Sequence, residues 1–168
     1  TEAGESTEAR INHTVTLLSD GRVLSVGGGK DDGPYLKSAE IYDPDSNTWT
    51  PVPEMSVSRA LHSATLLKDG RVLVVGGKGK KTSAEIYDPE SNSWASAGDT
   101  ADPRAEHIAI LLSDDRVLVA GGIGVISSSE IYDPDSNTWS TGAEMGESRY
   151  RFIACLLYTS DAADDSLR

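Results

Sequence analysis

One cysteine, Cys155, occurs in 168 residues. That excludes an internal disulfide framework and leaves the redox compartment unmarked. No apolar run approaches the roughly 20 residues that span a bilayer as a helix. No stretch holds a helical apolar period long enough to predict a helix. Positive charge is scarce: 15 Lys and Arg stand against 27 Asp and Glu, for a net charge of −12. This balance argues against a nucleic-acid backbone or an anionic membrane surface as a general partner. The first residues carry neither a Met nor a signal-peptide pattern. The length suffices for one domain with a real core.

What is present is repetition. The stretch AEIYDPDSNTW at 39–49 returns as AEIYDPESNSW at 84–94 and SEIYDPDSNTW at 129–139, and Trp49, Trp94 and Trp139 lie 45 residues apart. Repeats of this length indicate a solenoid, a propeller or an array. Arg59, Arg104 and Arg149 recur at the same spacing, and Arg10 lies 49 residues before Arg59. The four extra residues fall in the loop Gly29–Lys37, which is longer than 78–82 and 123–127. A histidine follows three of the four arginines by three residues, His13, His62 and His107, and Phe152 takes that place in the last.

Each unit reads as four strands. The first is HTVTLL, HSATLL or HIAILL. Asp20-Gly21 and Asp69-Gly70 follow, a dipeptide that predicts a tight hairpin with positive φ at both central residues. The third unit has Asp114-Asp115 instead. The second strand, RVLSVGG, RVLVVGG or RVLVAGG, is apolar without alternation, which predicts burial on both faces. The pairs Gly27-Gly28, Gly76-Gly77 and Gly121-Gly122 end it, suited to close backbone approach or an unusual φ. The third strand ends at the Asp-Pro turn, and the fourth starts near the Trp. Such sheets, apolar on both faces, need a neighbour on each side, and radial stacking supplies one.

The glycine pair, Glu-Ile-Tyr-Asp-Pro, the Trp and the opening Arg together resemble the kelch repeat of β-propellers, in the wording found in bacterial kelch-like and galactose-oxidase-type propellers. The resemblance implies an all-β fold: an unclosed partial propeller of about three four-stranded antiparallel blades over 1–154. The units run about 10–58, 59–103 and 104–148, and a fourth starts at 149. Both ends read as cut, because the chain opens within a fourth strand and because Phe152–Leu157 resembles a first strand that YTSDAADDSLR, not the expected DGRVLVVGG, follows. Residues 155–168 read as a non-native tail: CLLYTSDAADD resembles translated sequencing-adapter DNA.

Strand alternation predicts which loops share an end. One end collects the Asp-rich turns. The other collects Arg10, Arg59, Arg104 and Arg149 with Lys30, Tyr35, Lys78 and Lys80, and these are the candidate ligand-binding residues. The resemblance implies that such arginines sit near the channel mouth and grip acidic groups, as a planar guanidinium does well. The competing reading makes each Arg a structural pin between blades. Glu40, Glu85 and Glu130 recur in strands with no second carboxylate or histidine nearby in sequence, so they read as structural rather than catalytic. Tyr42, Tyr87 and Tyr132 read, with the tryptophans, as aromatic filling between blades. The histidines read as hydrogen-bonding inner-strand residues, not a metal set. The turn from Asp43 lacks the Gly of a calcium loop at its sixth position and reads as an Asx turn. No metal or cofactor is expected.

These readings converge on a non-enzymatic module that docks an acidic protein segment or glycan, with the remaining blades of the same propeller as further partners. The alternatives are the propeller part of an enzyme resembling galactose oxidase or a sugar-acid epimerase, and a structural spacer. The oxidase chemistry needs a cross-linked Cys, and Cys155 falls in the tail that reads as non-native, which leaves that chemistry to blades outside this chain. The resemblance leans towards an extracellular or cell-surface setting.

Overall fold

The computed structural model describes residues 4–30, 33–79, 81–124 and 126–155. Twelve strands form, and none of the described residues is helical. The first sheet contains β1 (Thr14–Leu17), β2 (Val23–Val26), β3 (Ala39–Asp43) and β4 (Thr48–Val52). The second contains β5 (Ser63–Leu66), β6 (Val72–Val75), β7 (Ser83–Asp88) and β8 (Ser93–Asp99). The third contains β9 (Ile108–Leu111), β10 (Val117–Ala120), β11 (Ser129–Asp133) and β12 (Thr138–Thr141). Each sheet is an antiparallel meander in sequence order. β1 packs on β5, β5 on β9 and β8 on β12, so the three sheets stand as consecutive blades of an unclosed β-propeller.

The cores lie between blades. Leu24, Val26 and Ile41 of blade 1 meet Val72, Val74 and Tyr87 of blade 2. Leu73, Val75 and Ile86, on the other face of blade 2, meet Val117, Val119 and Tyr132 of blade 3. The unalternating apolar run of β6 is explained by this: all four residues are fully buried, two against each neighbour.

The Tyr, Trp and Asn of the eleven-residue repeat form one unit of structure. Tyr87 Oη donates to Asn92 Oδ1 at 2.8 Å, and its ring lies 5.1 Å from Trp94. Trp94 Nε1 donates across the blade boundary to the Pro53 carbonyl, and Trp139 does the same to Ala97. Tyr42 bonds Asn47 and stacks on Trp49 in the same way. Asp43 Oδ1 accepts from the Asp45 and Ser46 amides, the Asx turn expected of this loop.

The Asp-Gly hairpins differ from the expectation. Gly21 donates to the Leu18 carbonyl and Leu18 to that of Arg22, and Gly21 alone in that loop has positive φ. This is a three-residue connection, a type I turn closed by a left-handed residue. Asp20 keeps negative φ because its carboxylate receives the Arg22 amide and guanidinium, which the tighter turn would separate. Asp115 takes the left-handed place in the third unit, at φ 69°, which explains how a non-glycine serves there.

Candidate ligand-binding face

The loops after the second and fourth strands of each blade meet at one end, and the arginines stand at its edge. Their side chains turn inward. Arg59 Nη1 donates to the carbonyls of Gly76 (2.7 Å) and Ser83 (2.6 Å), and Nη2 donates to Glu85 at 3.0 Å. Arg104 repeats this with Gly121, Ser128 and Glu130, and Arg10 with Gly27, Ser38 and Glu40. Arg59 and Arg104 are 0% and 1% exposed, and their Nη groups are bonded inside the protein. Arg149 differs, with its side chain 61% exposed.

Each glutamate completes the same joint. Glu85 Oε2 also accepts the Ser56 amide, Glu130 that of Ala101 and Glu40 that of Thr7. One carboxylate thus holds both the arginine and the segment that enters its blade. Burial pushes the Glu40 carboxyl up, but the hydrogen bonds from Arg10 and Thr7 outweigh it and hold Glu40 below the usual carboxylate range. Burial lowers the Arg59 guanidinium, opposed by Glu85, yet an arginine remains charged in a protein.

The glycine pairs close the joint from the preceding blade. Gly28 donates to the Arg59 carbonyl, Gly77 to that of Arg104 and Gly122 to that of Arg149. A Cβ on Gly76 would stand 2.4 Å from the Arg104 carbonyl oxygen, and one on Gly121 as close to that of Arg149. Gly27 meets Arg59 in the same manner. No side chain fits there.

The histidines join neighbouring first strands. His62 Nε2 is 2.8 Å from Thr14 Oγ1, and His107 Nε2 is 2.8 Å from Ser63 Oγ. Burial, then the charge of Arg59 or Arg104, lowers both imidazoles to about 3. They are neutral structural groups.

Between each arginine and the histidine or phenylalanine that follows lies a residue of another kind. Asn12, Leu61, Glu106 and Arg151 all hold left-handed backbone, with φ between 53° and 58°. Leu61 donates its amide to the Asn12 carbonyl, Glu106 to Leu61 and Arg151 to Glu106. A chain of hydrogen bonds therefore passes from blade to blade along the hub. These four residues, with His13, His62, His107 and Phe152, line an open depression of about 440 Å³. Arg151 pairs with Glu106 at its rim.

A second hollow of about 530 Å³ lies between the loops of blades 2 and 3. Pro103, Ala105, Ile123 and Ile126 line it, with Lys78 at one side. Between blades 1 and 2 the Tyr35 ring lies beside Lys78, with its centroid 6.0 Å from Nζ. Lys30 extends from the same long loop and pairs with Glu8 at 3.0 Å.

Two family models match this chain. One, described as the β-propeller of tRNA wybutosine-synthesizing protein 4, matches residues 7–102, more than half of the sequence. The other, the Kelch motif, matches residues 107–146. The chain belongs to this β-propeller family, of the kelch-repeat type. Among curated proteins, two galactose oxidases match this kelch propeller, one from Gibberella zeae and one from its strain PH-1. Each is 40% identical over 50 residues, 30% of this chain. The aligned stretch covers only 7% of their length.

Within the kelch propeller, the residues singled out from the sequence divide by position. Arg10, Arg59 and Arg104 are turned into the blade joints, whereas Lys30, Tyr35, Lys78 and Arg149 reach solvent at the loop end. Lys80 lies outside the described residues. Asn12, Leu61, Glu106 and Arg151 were not singled out. Their signal is a position that varies from unit to unit between neighbours that repeat.

Proposed function

We propose that this kelch propeller is a non-enzymatic binding module that docks an acidic protein segment or an acidic glycan on its loop end. One observation carries the reading. The repeated Arg10–Glu40, Arg59–Glu85 and Arg104–Glu130 pairs are buried in the joints between blades, while Asn12, Lys78, Ile123 and Arg151, at positions that differ between units, stand exposed beside two hollows. Lys78 and Arg149 bring exposed cations to that end of a chain with net charge −12, and Lys30 and Arg151 add two more that are paired with Glu8 and Glu106, a balance that favours an anionic ligand there.

Calorimetric titration with an oligoglutamate peptide and with oligogalacturonate tests it. The double variant Lys30→Glu, Lys78→Glu is expected to weaken the better ligand at least tenfold, and added salt to weaken it further. Equal affinity in the variant would refute the choice of this end.

The galactose oxidase match favours a second reading, that the blades serve a larger carbohydrate-oxidising enzyme. Oxidase assays on the longest open reading frame containing these repeats decide it: hydrogen peroxide formed from galactose supports the enzyme.

A further inference from the structure

The two slots between blades at the loop end differ in one respect. At the boundary of blades 1 and 2, Tyr35 of the blade 1 loop stands with its ring centroid 6.0 Å from Nζ of Lys78 in blade 2. The tyrosine belongs to the nine-residue loop Gly29–Lys37, which is four residues longer than its counterparts. Blade 2 has the short loop and supplies no such ring to the next slot. The counterpart of Lys78 on blade 3 is Ile123, 45 residues on and 47% exposed.

The open slot is lined by Pro103, Ala105, Ile123 and Ile126 together with Gly77 and Gly79, and its surface is mostly carbon. Of its three charged residues, Arg104 is turned into the blade joint and is 1% exposed. Asp102 accepts from Ser128 Oγ at 2.6 Å and lies 3.7 Å from Arg104. Lys78 is exposed at the rim.

We propose that this slot takes the aromatic side chain of a protein segment, with an acidic neighbour of that residue held by Lys78. The inference rests on the binding-module reading and decides between its two ligand classes. A sugar ring brings a hydroxyl on nearly every carbon, and burying these without partners is unfavourable. An aromatic side chain needs only apolar walls and gains from every one of them. At the preceding blade boundary a tyrosine of the protein's own loop already stands beside that same lysine.

The test is selection from a phage-displayed random peptide library on the full chain, followed by affinity measurement on variants. The expected peptides carry Phe, Tyr or Trp beside Asp or Glu. Ile123→Asp is expected to weaken them at least tenfold, and Ile123→Val to leave them within about twofold. Replacing the aromatic residue of a selected peptide by benzoylphenylalanine is expected to cross-link it to 103–105 or 123–126 of the unmodified chain. Enriched peptides without an aromatic residue, or cross-links elsewhere, overturn the proposal. Peptides weakened by Lys30→Glu, Lys78→Glu but indifferent to Ile123→Asp overturn the slot while leaving the loop end as the binding face. Recovery of no peptide, with saturable binding of oligogalacturonate, overturns the protein ligand and keeps the module.

Discussion

Blade 2 and blade 1 are built from nearly the same words and experience different surroundings. In blade 2, Val72 to Val75 are fully buried, and Tyr87 is 1% exposed. In blade 1, Leu17 is 64% exposed and Val15 59%, and Tyr42 is only partly covered. Leu66, the counterpart of Leu17, is packed against the core between blades 1 and 2. The arginines repeat the contrast: Arg59 is sealed in its joint, and Arg149 stands in solvent. Burial in this fold is conferred by the adjacent blade, and the stability of a unit depends on its neighbours as in other stacked repeats.

The sharpest way to break the comparison is at the arginine joint. Arg59→Ala leaves Glu85 buried and unpaired, and is expected to cost about 3–5 kcal/mol. Arg149→Ala at the equivalent exposed place should change stability by no more than about 0.5 kcal/mol. Urea titration of both variants measures the difference, and equal losses would refute the contrast. Core deletion comes next. Leu73→Ala is expected to cost about 2–5 kcal/mol by cavity formation, and Leu17→Ala close to nothing, as thermal unfolding will show.

A pH series sharpens the same boundary. Burial holds His62 and His107 at about 3 when folded, against an ordinary value of 6.5. The unfolded chain therefore binds protons first as pH falls. Their contribution is complete above about pH 6.5 and is lost progressively on acidification towards pH 3. The double variant His62→Gln, His107→Gln should release the chain from about two of the protons taken up on unfolding at pH 5.5, measured from the slope of stability against pH. An unchanged slope would show that these imidazoles titrate freely. The smallest effect is expected at the tryptophans. Trp94→Phe loses the bond to the Pro53 carbonyl, about 1 kcal/mol. Trp49→Phe loses no such bond among the described residues, and differential scanning calorimetry should rank the two accordingly.

Much of this architecture is legible in the residues. The 45-residue period, the unalternating second strand and the Tyr–Trp pair each depend on local pattern, and each recurs three times. The joints are less legible. Arg59 and Glu85 are 26 residues apart, and a cation at a strand entrance reads alike whether its guanidinium turns in or out. Only the placement of Ser83, Gly76 and Glu85 around it decides. The Asp-Gly loop shows the limit at close range. The dipeptide marks the turn, but the carboxylate of Asp20 selects its type through Arg22. The hub was hidden for a different reason. Leu, Glu and Arg do not favour left-handed backbone, and the conformation is imposed by hydrogen bonds to residues 45 or 49 positions away.

That hub has a consequence for how such a protein acquires new specificity. Main-chain bonds run through Asn12, Leu61, Glu106 and Arg151 whatever their side chains, so residues of four different chemistries hold the same backbone place, with Glu106 and Arg151 also joined by an ion pair. An amide, an aliphatic group, an acid and a base already occupy equivalent seats. The rim works as a row of interchangeable sockets, in which one substitution rewrites one point of contact and leaves the frame standing.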